Sequence, residues 1–136
     1  MQVSSIPVLV VDDQAPFRIA AKAVLRRASG FELVGEASTG EEAVSKAADL
    51  HPALVLMDIN MPGISGIEAT RRIVAELPDT AVFLCSTYQL SDLPGDAATS
   101  GARAYVNKEE LTPEVLGRLW ENRDRPWPHG NANGSD

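Results

Sequence analysis

Short apolar runs alternate with stretches of helical periodicity along most of the chain. Four runs are mainly apolar, and the second alternates loosely between apolar and polar residues; they span residues 6–11, 31–37, 53–57, 81–85 and 102–106. Runs of this length and composition are typical of strands buried on both faces of a sheet. We therefore expect five strands, each followed by a connecting segment.

Helix signals follow these runs. Pro16 lies where a first helical turn is expected, and Gly30 is placed to end that helix. The later helices are expected to begin at capping residues, which are Thr39 with Glu42, Ser65 with Glu68, and Thr112 followed by Pro113. Residues 91–100 contain Pro94 and Gly95 and few large apolar residues. Any helix in that segment is expected to be short and weakly held.

Five βα units in succession predict an α/β fold, a doubly wound parallel sheet with helices on both faces. Each parallel crossover is right-handed and usually carries a helix, so helices cover both sides of the sheet. We place this domain at residues 1–123. Residues 124–136 are rich in proline, glycine and asparagine, with Trp127 among them, and are expected to form a flexible C-terminal tail.

Four of the predicted strands end in reactive polar residues. Asp12 and Asp13 follow the first strand, Asp58 the third, Ser86 the fourth and Lys108 the fifth. In open α/β sheets, ligands bind outside the carboxyl ends of the strands, so these side chains are expected to share one edge. Their convergence predicts a functional site there.

A cluster of carboxylates needs a compensating cation, because neighbouring negative charges resist ionisation. The predicted ligands are oxygens, while His51 and Cys85 fall elsewhere in the pattern, so a hard cation, Mg²⁺, is favoured over zinc. Lys108 adds a positive charge and Ser86 a hydroxyl donor, and this set suits phosphoryl transfer to a carboxylate. No glycine-rich phosphate loop is seen, which favours a phosphoprotein or small phosphodonor over a bound nucleotide.

The ordered motifs resemble the receiver domains of two-component response regulators. They are VVDD at residues 10–13, LMDINMPG at residues 56–63, then Ser86, Tyr105 and Lys108, and the resemblance covers roughly residues 6–123. It implies a flavodoxin-like (βα)5 fold with strand order 2-1-3-4-5. It also implies a signalling protein that takes up and slowly loses a phosphoryl group rather than a turnover enzyme.

The resemblance implies a role for each site residue. Asp58 would accept a phosphoryl group from a sensor histidine kinase, and Mg²⁺ would be held by Asp12, Asp13, Asp58 and the backbone carbonyl of Asn60. Lys108 would pair with the phosphoryl group, Ser86 would turn toward it, and Tyr105 would change rotamer. The face formed by the last strands and helices would then act on a downstream partner, with dimer formation a further possibility.

Two residues depart from the family pattern. Glu109 follows Lys108 where receivers usually have a proline, commonly after a cis bond, and cis geometry is costly without proline. Thr87 is bulkier than the small residue usual beside the switch hydroxyl. It is expected to alter access of the phosphodonor or the lifetime of the phosphorylated state.

Several alternatives remain open at this stage. Asp12, Asp13 and Asp58 each suit a turn or a cap, and Thr87 rivals Ser86 as the switch hydroxyl. A phosphatase of the haloacid-dehalogenase type also uses an aspartate after a strand, but it requires an aspartate where Asn60 stands. A docking module without phosphorylation and the receiver of a transcriptional regulator, whose DNA-binding domain lies outside this sequence, are further candidates.

Charge and hydropathy limit the partners. The net charge is −7 and basic runs are missing, so direct binding to nucleic acid by this chain is not expected. The apolar runs are far shorter than the roughly 20 residues of a membrane span, and the first residues do not resemble a signal peptide. These features favour a cytoplasmic protein without membrane contact.

Overall fold

Five parallel strands form one sheet in a computed structural model that describes residues 5–125. The strand order is β2-β1-β3-β4-β5. The bounds are β1 Ile6–Val11, β2 Phe31–Ala37, β3 Leu54–Asp58, β4 Ala81–Ser86 and β5 Ala104–Asn107. The predicted doubly wound fold and its strand order are therefore confirmed, with strand ends within two residues of those expected.

Four α-helices connect or follow the strands in the described residues. They are α1 Ala15–Arg27, α2 Gly40–Leu50, α3 Gly66–Glu76 and α4 Pro113–Glu121. Three begin at the predicted caps, where Thr39, Ser65 and Thr112 each accept a backbone N–H three residues ahead. Such caps satisfy N–H groups that have no partner within the helix, and they fix where each helix begins.

The crossover between β4 and β5 lacks an α-helix. Its regular part is one turn of 3₁₀-helix, Leu90–Asp92, and the rest consists of turns such as Ala97 N–H to the Pro94 carbonyl at 3.0 Å. Leu93 and Ala97 still pack against the core, so the segment follows the sheet without forming a regular helix. The single short turn agrees with the predicted short element, whereas its weak attachment stays a prediction.

The core has two layers, one on each face of the sheet. Along β1, Val8 and Val10 face α1 and α4, whereas Leu9 and Val11 face α2 and α3. The central strands are buried on both faces, which explains their nearly continuous apolar runs. Within the described residues, no helix is long and apolar enough to cross a bilayer. The predicted tail lies almost wholly in residues 126–136, outside the described range, and stays a prediction.

Candidate functional site

Strand register brings the predicted site residues to one edge of the sheet. Val11 of β1 pairs with Met57 of β3, so Asp12 and Asp58 follow at the same level on adjacent strands. On the other side of β3, Ser86 is the last residue of β4 and pairs with Asn107, directly before Lys108. The edge therefore gathers residues from four strands, as the sequence predicted.

The carboxylates of Asp12, Asp13 and Asp58 form one cluster. Each offers an oxygen, and these oxygens all lie within 4.8 Å of one another. Asp12 is fully buried, Asp58 is 5% exposed and Asp13 is half-buried. Carboxylate oxygens this close together could hold one small divalent cation after small side-chain adjustments.

The donor chemistry of this cluster fits a hard divalent cation. Asp12 Oδ2 is buried, and within residues 5–125 its one polar neighbour is the Lys108 ammonium at 2.6 Å, so this oxygen still has a lone pair for a cation. Burial raises the pKa of the neighbouring Cys85 thiol to about 12, so a thiolate is not offered as a competing soft ligand. The site is one that Mg²⁺ suits better than zinc.

Lys108 supplies the positive charge at the cluster. Its Nζ lies 2.6 Å from Asp12 Oδ2 and 3.3 Å from Asp58 Oδ1. The ammonium also lies 4.8 Å from the centre of the Phe17 ring, a favourable cation–π contact. Burial alone lowers the pKa of Lys108, but the carboxylates of Asp12 and Asp58 outweigh burial and raise the pKa above its usual value. The lysine therefore stays charged.

Asp58 is under electrostatic strain. Burial, together with the charge of Asp12, raises the pKa of Asp58 to about 6, against the lowering effect of Lys108. Its Oδ1 also accepts the Ile59 backbone N–H at 2.9 Å, which fixes the orientation of the carboxylate. A carboxylate held in this way gains from any additional cation nearby.

The loop that carries Asp12 is braced from two directions. Asp12 Oδ1 accepts the Gln14 N–H at 2.8 Å, and the Asp12 carbonyl accepts from Arg18 at 2.6 Å. Arg18 in turn pairs with Glu36 on β2 at 3.2 Å. These contacts fix the backbone at the end of β1, and they therefore fix the position of the Asp12 carboxylate in the cluster.

Ser86 and Tyr105 are joined beneath the edge of the sheet. Both are buried, and Ser86 Oγ lies 3.1 Å from the Tyr105 hydroxyl. That hydroxyl also reaches the carbonyls of Ser86 and Tyr88. Burial raises the pKa of Tyr105, so it keeps its single hydroxyl proton. When Tyr105 donates that proton to a carbonyl, Ser86 is the donor in the contact between the two hydroxyls.

The remaining predicted residues lie at the mouth of the site. Asn60 is exposed, and its side-chain amide donates to the Tyr88 hydroxyl at 3.1 Å. Thr87 is exposed, whereas Ser86 is buried, so the two hydroxyls differ sharply in environment. Glu109, at the position where receivers usually have a proline, lies in a short 3₁₀ turn, Lys108–Glu110. The roles assigned to Asn60 and Thr87 stay predictions.

The predictions from sequence did not identify three residues that contribute to the site. Tyr88 contacts Asn60, Tyr105 and Asn107; Asn107 is buried beside Lys108; and Arg18 holds the Asp12 carbonyl. A sequence signal existed for Asn107, because a polar residue directly before Lys108 interrupts an apolar strand. Arg18 and Tyr88 carried no such signal, since their contacts depend on tertiary structure.

An aspartate cluster and a lysine at the carboxyl edge of a five-stranded sheet with order 2-1-3-4-5 define a receiver-type domain. The family model of the response regulator receiver domain matches residues 8–119. The chain belongs to the response regulator receiver family.

Similar proteins are consistent with this family. The chain is 40% identical over 111 residues to the response regulator GacA of Pseudomonas viridiflava, covering 82% of this chain and 52% of that protein. It is 36% identical over 114 residues to UvrY of Escherichia coli K12, covering 84% and 52%. The chain thus spans about half the length of these curated relatives.

Solved structures give the same assignment. A LuxR-family two-component response regulator from Aurantimonas sp. SI85-9A1 superposes with a TM-score of 0.77 at 30% identity, covering 87% of this chain and 84% of that one. The response regulator domain of Thermotoga maritima CheB superposes with a TM-score of 0.72 at 28% identity, covering 97% and 99%.

Proposed function

We propose that this chain is a phosphoacceptor receiver in which Asp58 takes a phosphoryl group from a sensor histidine kinase. The observation that carries the proposal is the convergence of Asp12, Asp13 and Asp58 on one point, with Lys108 3.3 Å from the acceptor carboxylate. A carboxylate oxygen attacks phosphorus, and the bond between phosphorus and the kinase histidine nitrogen breaks.

The chain's own residues provide the environment for this transfer. Asp12, Asp13, Asp58 and the Asn60 carbonyl would hold Mg²⁺, which when bound would neutralise charge on the transferring phosphoryl oxygens. Lys108 brings a second positive charge within reach of the same oxygens, and it is held by burial and by Asp12. The Ile59 N–H keeps the acceptor carboxylate from rotating freely.

Ser86 would couple phosphorylation of Asp58 to a conformational change in the loop after β4. Its hydroxyl proton is engaged by Tyr105, so donating to a phosphoryl group on Asp58 requires it to release that contact. Tyr105 then loses a partner, and the loop after β4, which its hydroxyl contacts at Tyr88, is free to rearrange. The face of β4, β5 and α4 would change for a partner or an output domain.

The direct test is labelling with acetyl phosphate. Wild-type protein in buffer with Mg²⁺ is expected to gain one phosphoryl mass, read by intact-protein mass spectrometry, and Asp58→Asn is expected to gain none. Chelation of Mg²⁺ should also prevent uptake. Equal uptake by Asp58→Asn would place the acceptor elsewhere and contradict the proposal.

The same preparation separates this proposal from a phosphatase. A receiver is expected to consume a small phosphodonor slowly, limited by hydrolysis of its own acyl phosphate, whereas a phosphatase turns over an aryl phosphate repeatedly. Asn60 stands where the phosphatase pattern requires an aspartate, two residues after the nucleophile, which argues against turnover. Sustained turnover of an aryl phosphate that Asp58→Asn abolishes would favour the phosphatase.

A second candidate concerns the longer protein. The relatives GacA and UvrY are about twice as long as the matched region, which favours a receiver that is joined to a further region. A transcriptional output domain is the candidate for that region. The coding sequence of the full gene tests this candidate. A helix-turn-helix region following the receiver would support it, and a stop codon directly after residue 136 would contradict it.

A further inference from the structure

Asn107 is a buried asparagine at the end of β5, directly before Lys108. It is 7% exposed, and both ends of its amide are used. The amide nitrogen donates to the Tyr88 carbonyl at 3.1 Å, and the amide oxygen accepts the Glu109 backbone N–H at 2.9 Å. One side chain therefore connects the loop after β4 with the turn that carries Lys108.

The contact with Glu109 fixes the start of the turn Lys108–Glu110. Asn107 is the cap of this turn, and Lys108 is its first residue. A proline at position 109 would have no N–H, whereas Glu109 has one, and it is directed at the buried Asn107 side chain. The Asn107 oxygen satisfies this N–H and so holds the backbone from which Lys108 reaches Asp12 and Asp58.

The second contact of Asn107, with the Tyr88 carbonyl, holds the loop after β4. The Tyr88 carbonyl accepts from Asn107 and is also contacted by the Tyr105 hydroxyl, and the Tyr88 N–H donates to Ser86 Oγ at 3.1 Å. Asn107 therefore stabilises the conformation in which this loop closes over Tyr105. Any movement of the loop must break or lengthen the contact between Asn107 and Tyr88.

We propose that Asn107 is a positioning residue that sets both the place of Lys108 beside Asp58 and the closed conformation of the loop after β4. The inference rests on the proposed function, since it assigns a control residue to that site. The two roles of Asn107 can be separated by the substitution Asn107→Ser. Serine retains a capping oxygen for the Glu109 N–H, but its side chain is too short to reach the Tyr88 carbonyl.

The first test measures the rate of phosphoryl uptake from acetyl phosphate with Mg²⁺. Asn107→Ala should slow uptake by roughly tenfold, because the Glu109 N–H loses its partner and Lys108 its fixed backbone. Asn107→Ser should stay within about twofold of wild type, since the cap is retained. Asn122→Ala, which removes an asparagine at the end of α4, serves as the matched control and should leave the rate unchanged.

A double-mutant cycle asks whether Asn107 acts through Lys108. If it does, Asn107→Ala combined with Lys108→Ala should be no slower than Lys108→Ala alone. A general loosening of the fold would instead slow both backgrounds by the same factor. That second outcome would overturn the positioning role.

The role of Asn107 in holding the loop after β4 is measured by ¹⁹F NMR of the tyrosines. The chain has two, Tyr88 and Tyr105, so 3-fluorotyrosine labelling should give two ¹⁹F resonances, assigned with Tyr88→Phe. Asn107→Ala and Asn107→Ser should both shift or broaden the Tyr105 resonance, and Asn122→Ala should not. Should Asn107→Ala fail to fold, Asn107→Ser tests this role, and an unchanged Tyr105 resonance in that variant overturns it.

Failure of the inference is distinguishable from failure of the proposed function. If wild type takes up phosphoryl at Asp58 while Asn107→Ala matches its rate and its tyrosine spectrum, the inference is wrong and the function stands. If wild type takes up no phosphoryl group, the function is wrong. The ¹⁹F spectra need no phosphodonor, so they still test the role of Asn107 in holding the loop.

Discussion

Asp12 and Asp58 lie side by side at the ends of paired strands and share the ammonium of Lys108. The raised pKa of Asp58, about 6, means that the folded protein binds a proton there more tightly than the unfolded chain, whose value is 3.8. The folded state thus gains protons relative to the unfolded state between these values. Stability is therefore lost as the pH rises through that window. Above it, ionised Asp58 costs on the order of 3 kcal/mol in the metal-free protein.

Asp58→Asn should therefore stabilise the metal-free protein near neutral pH. The amide retains an oxygen for the Ile59 N–H but carries no charge beside Asp12, so we expect a gain of about 1–3 kcal/mol at about pH 7.5. The gain should vanish near pH 4, where Asp58 is protonated in wild type. Urea unfolding in chelator at both pH values measures it. A loss of stability at neutral pH would show that Asp58 is not strained.

Lys108→Ala should have the opposite effect. It leaves two buried carboxylates without their cation, so a loss of about 3 kcal/mol is expected in the metal-free protein at neutral pH. Added Mg²⁺ should recover part of the loss, because it supplies a positive charge to the same oxygens.

Arg72→Ala is the matched control for Lys108→Ala. Arg72 pairs with Glu68 at 3.0 Å on an exposed helix surface, where solvent screening leaves an ion pair little weight in stability. Urea unfolding compares the two variants. Equal losses would mean that burial of the lysine at the acidic cluster has no special energetic weight.

At the scale of elements, the start of α3 packs directly on the end of β3. A Cβ atom at Gly66 would come within 1.8 Å of the Asp58 carbonyl oxygen, and the Gly66 N–H donates to the Ile59 carbonyl at 2.8 Å. This close approach explains why a glycine follows the helix cap at Ser65. It also means that the position of α3 helps to fix the backbone of Asp58.

Gly66→Ala should therefore disturb both stability and the site. Since backbone atoms must move to admit the methyl group, we expect a loss of about 3 kcal/mol in urea unfolding and slower phosphoryl uptake. Gly117→Ala is the matched control, because an added Cβ at this α4 position meets no atom within 4 Å. It should stabilise the protein by about 0.5–1 kcal/mol through helix propensity. Tolerance of Gly66→Ala would contradict the packing described here.

The elements were predictable where local signals and burial agree. Thr39, Ser65 and Thr112 mark three helix starts in sequence and structure alike, because a capping side chain acts on its own helix. For the crossover after β4, the sequence predicted only that any helix would be short and weakly held. Pro94 and Gly95 disfavour a stable helix, but they do not specify which structure replaces it. Its packing through Leu93 and Ala97 depends on contacts with distant residues.

For the whole molecule, the order of strands turns a scattered set of residues into one site. The sequence placed Asp12, Asp58, Ser86 and Lys108 at strand ends, and the topology of a parallel sheet then requires a common edge. The sequence could not indicate that Lys108 would lie closer to Asp12 than to Asp58, or that Asn107 would bridge two loops. Those contacts arise from side-chain packing between strands far apart in the chain.

We propose that Asp58 takes the phosphoryl group when a divalent cation is held beside it. Reduction of the acyl phosphate with borohydride, followed by peptide mass spectrometry, locates the acceptor, because reduction converts a phosphorylated aspartate to homoserine. Homoserine is expected at position 58, in the presence of Mg²⁺ and not in chelator. Homoserine at another aspartate, or equal conversion without a divalent cation, would contradict this assignment.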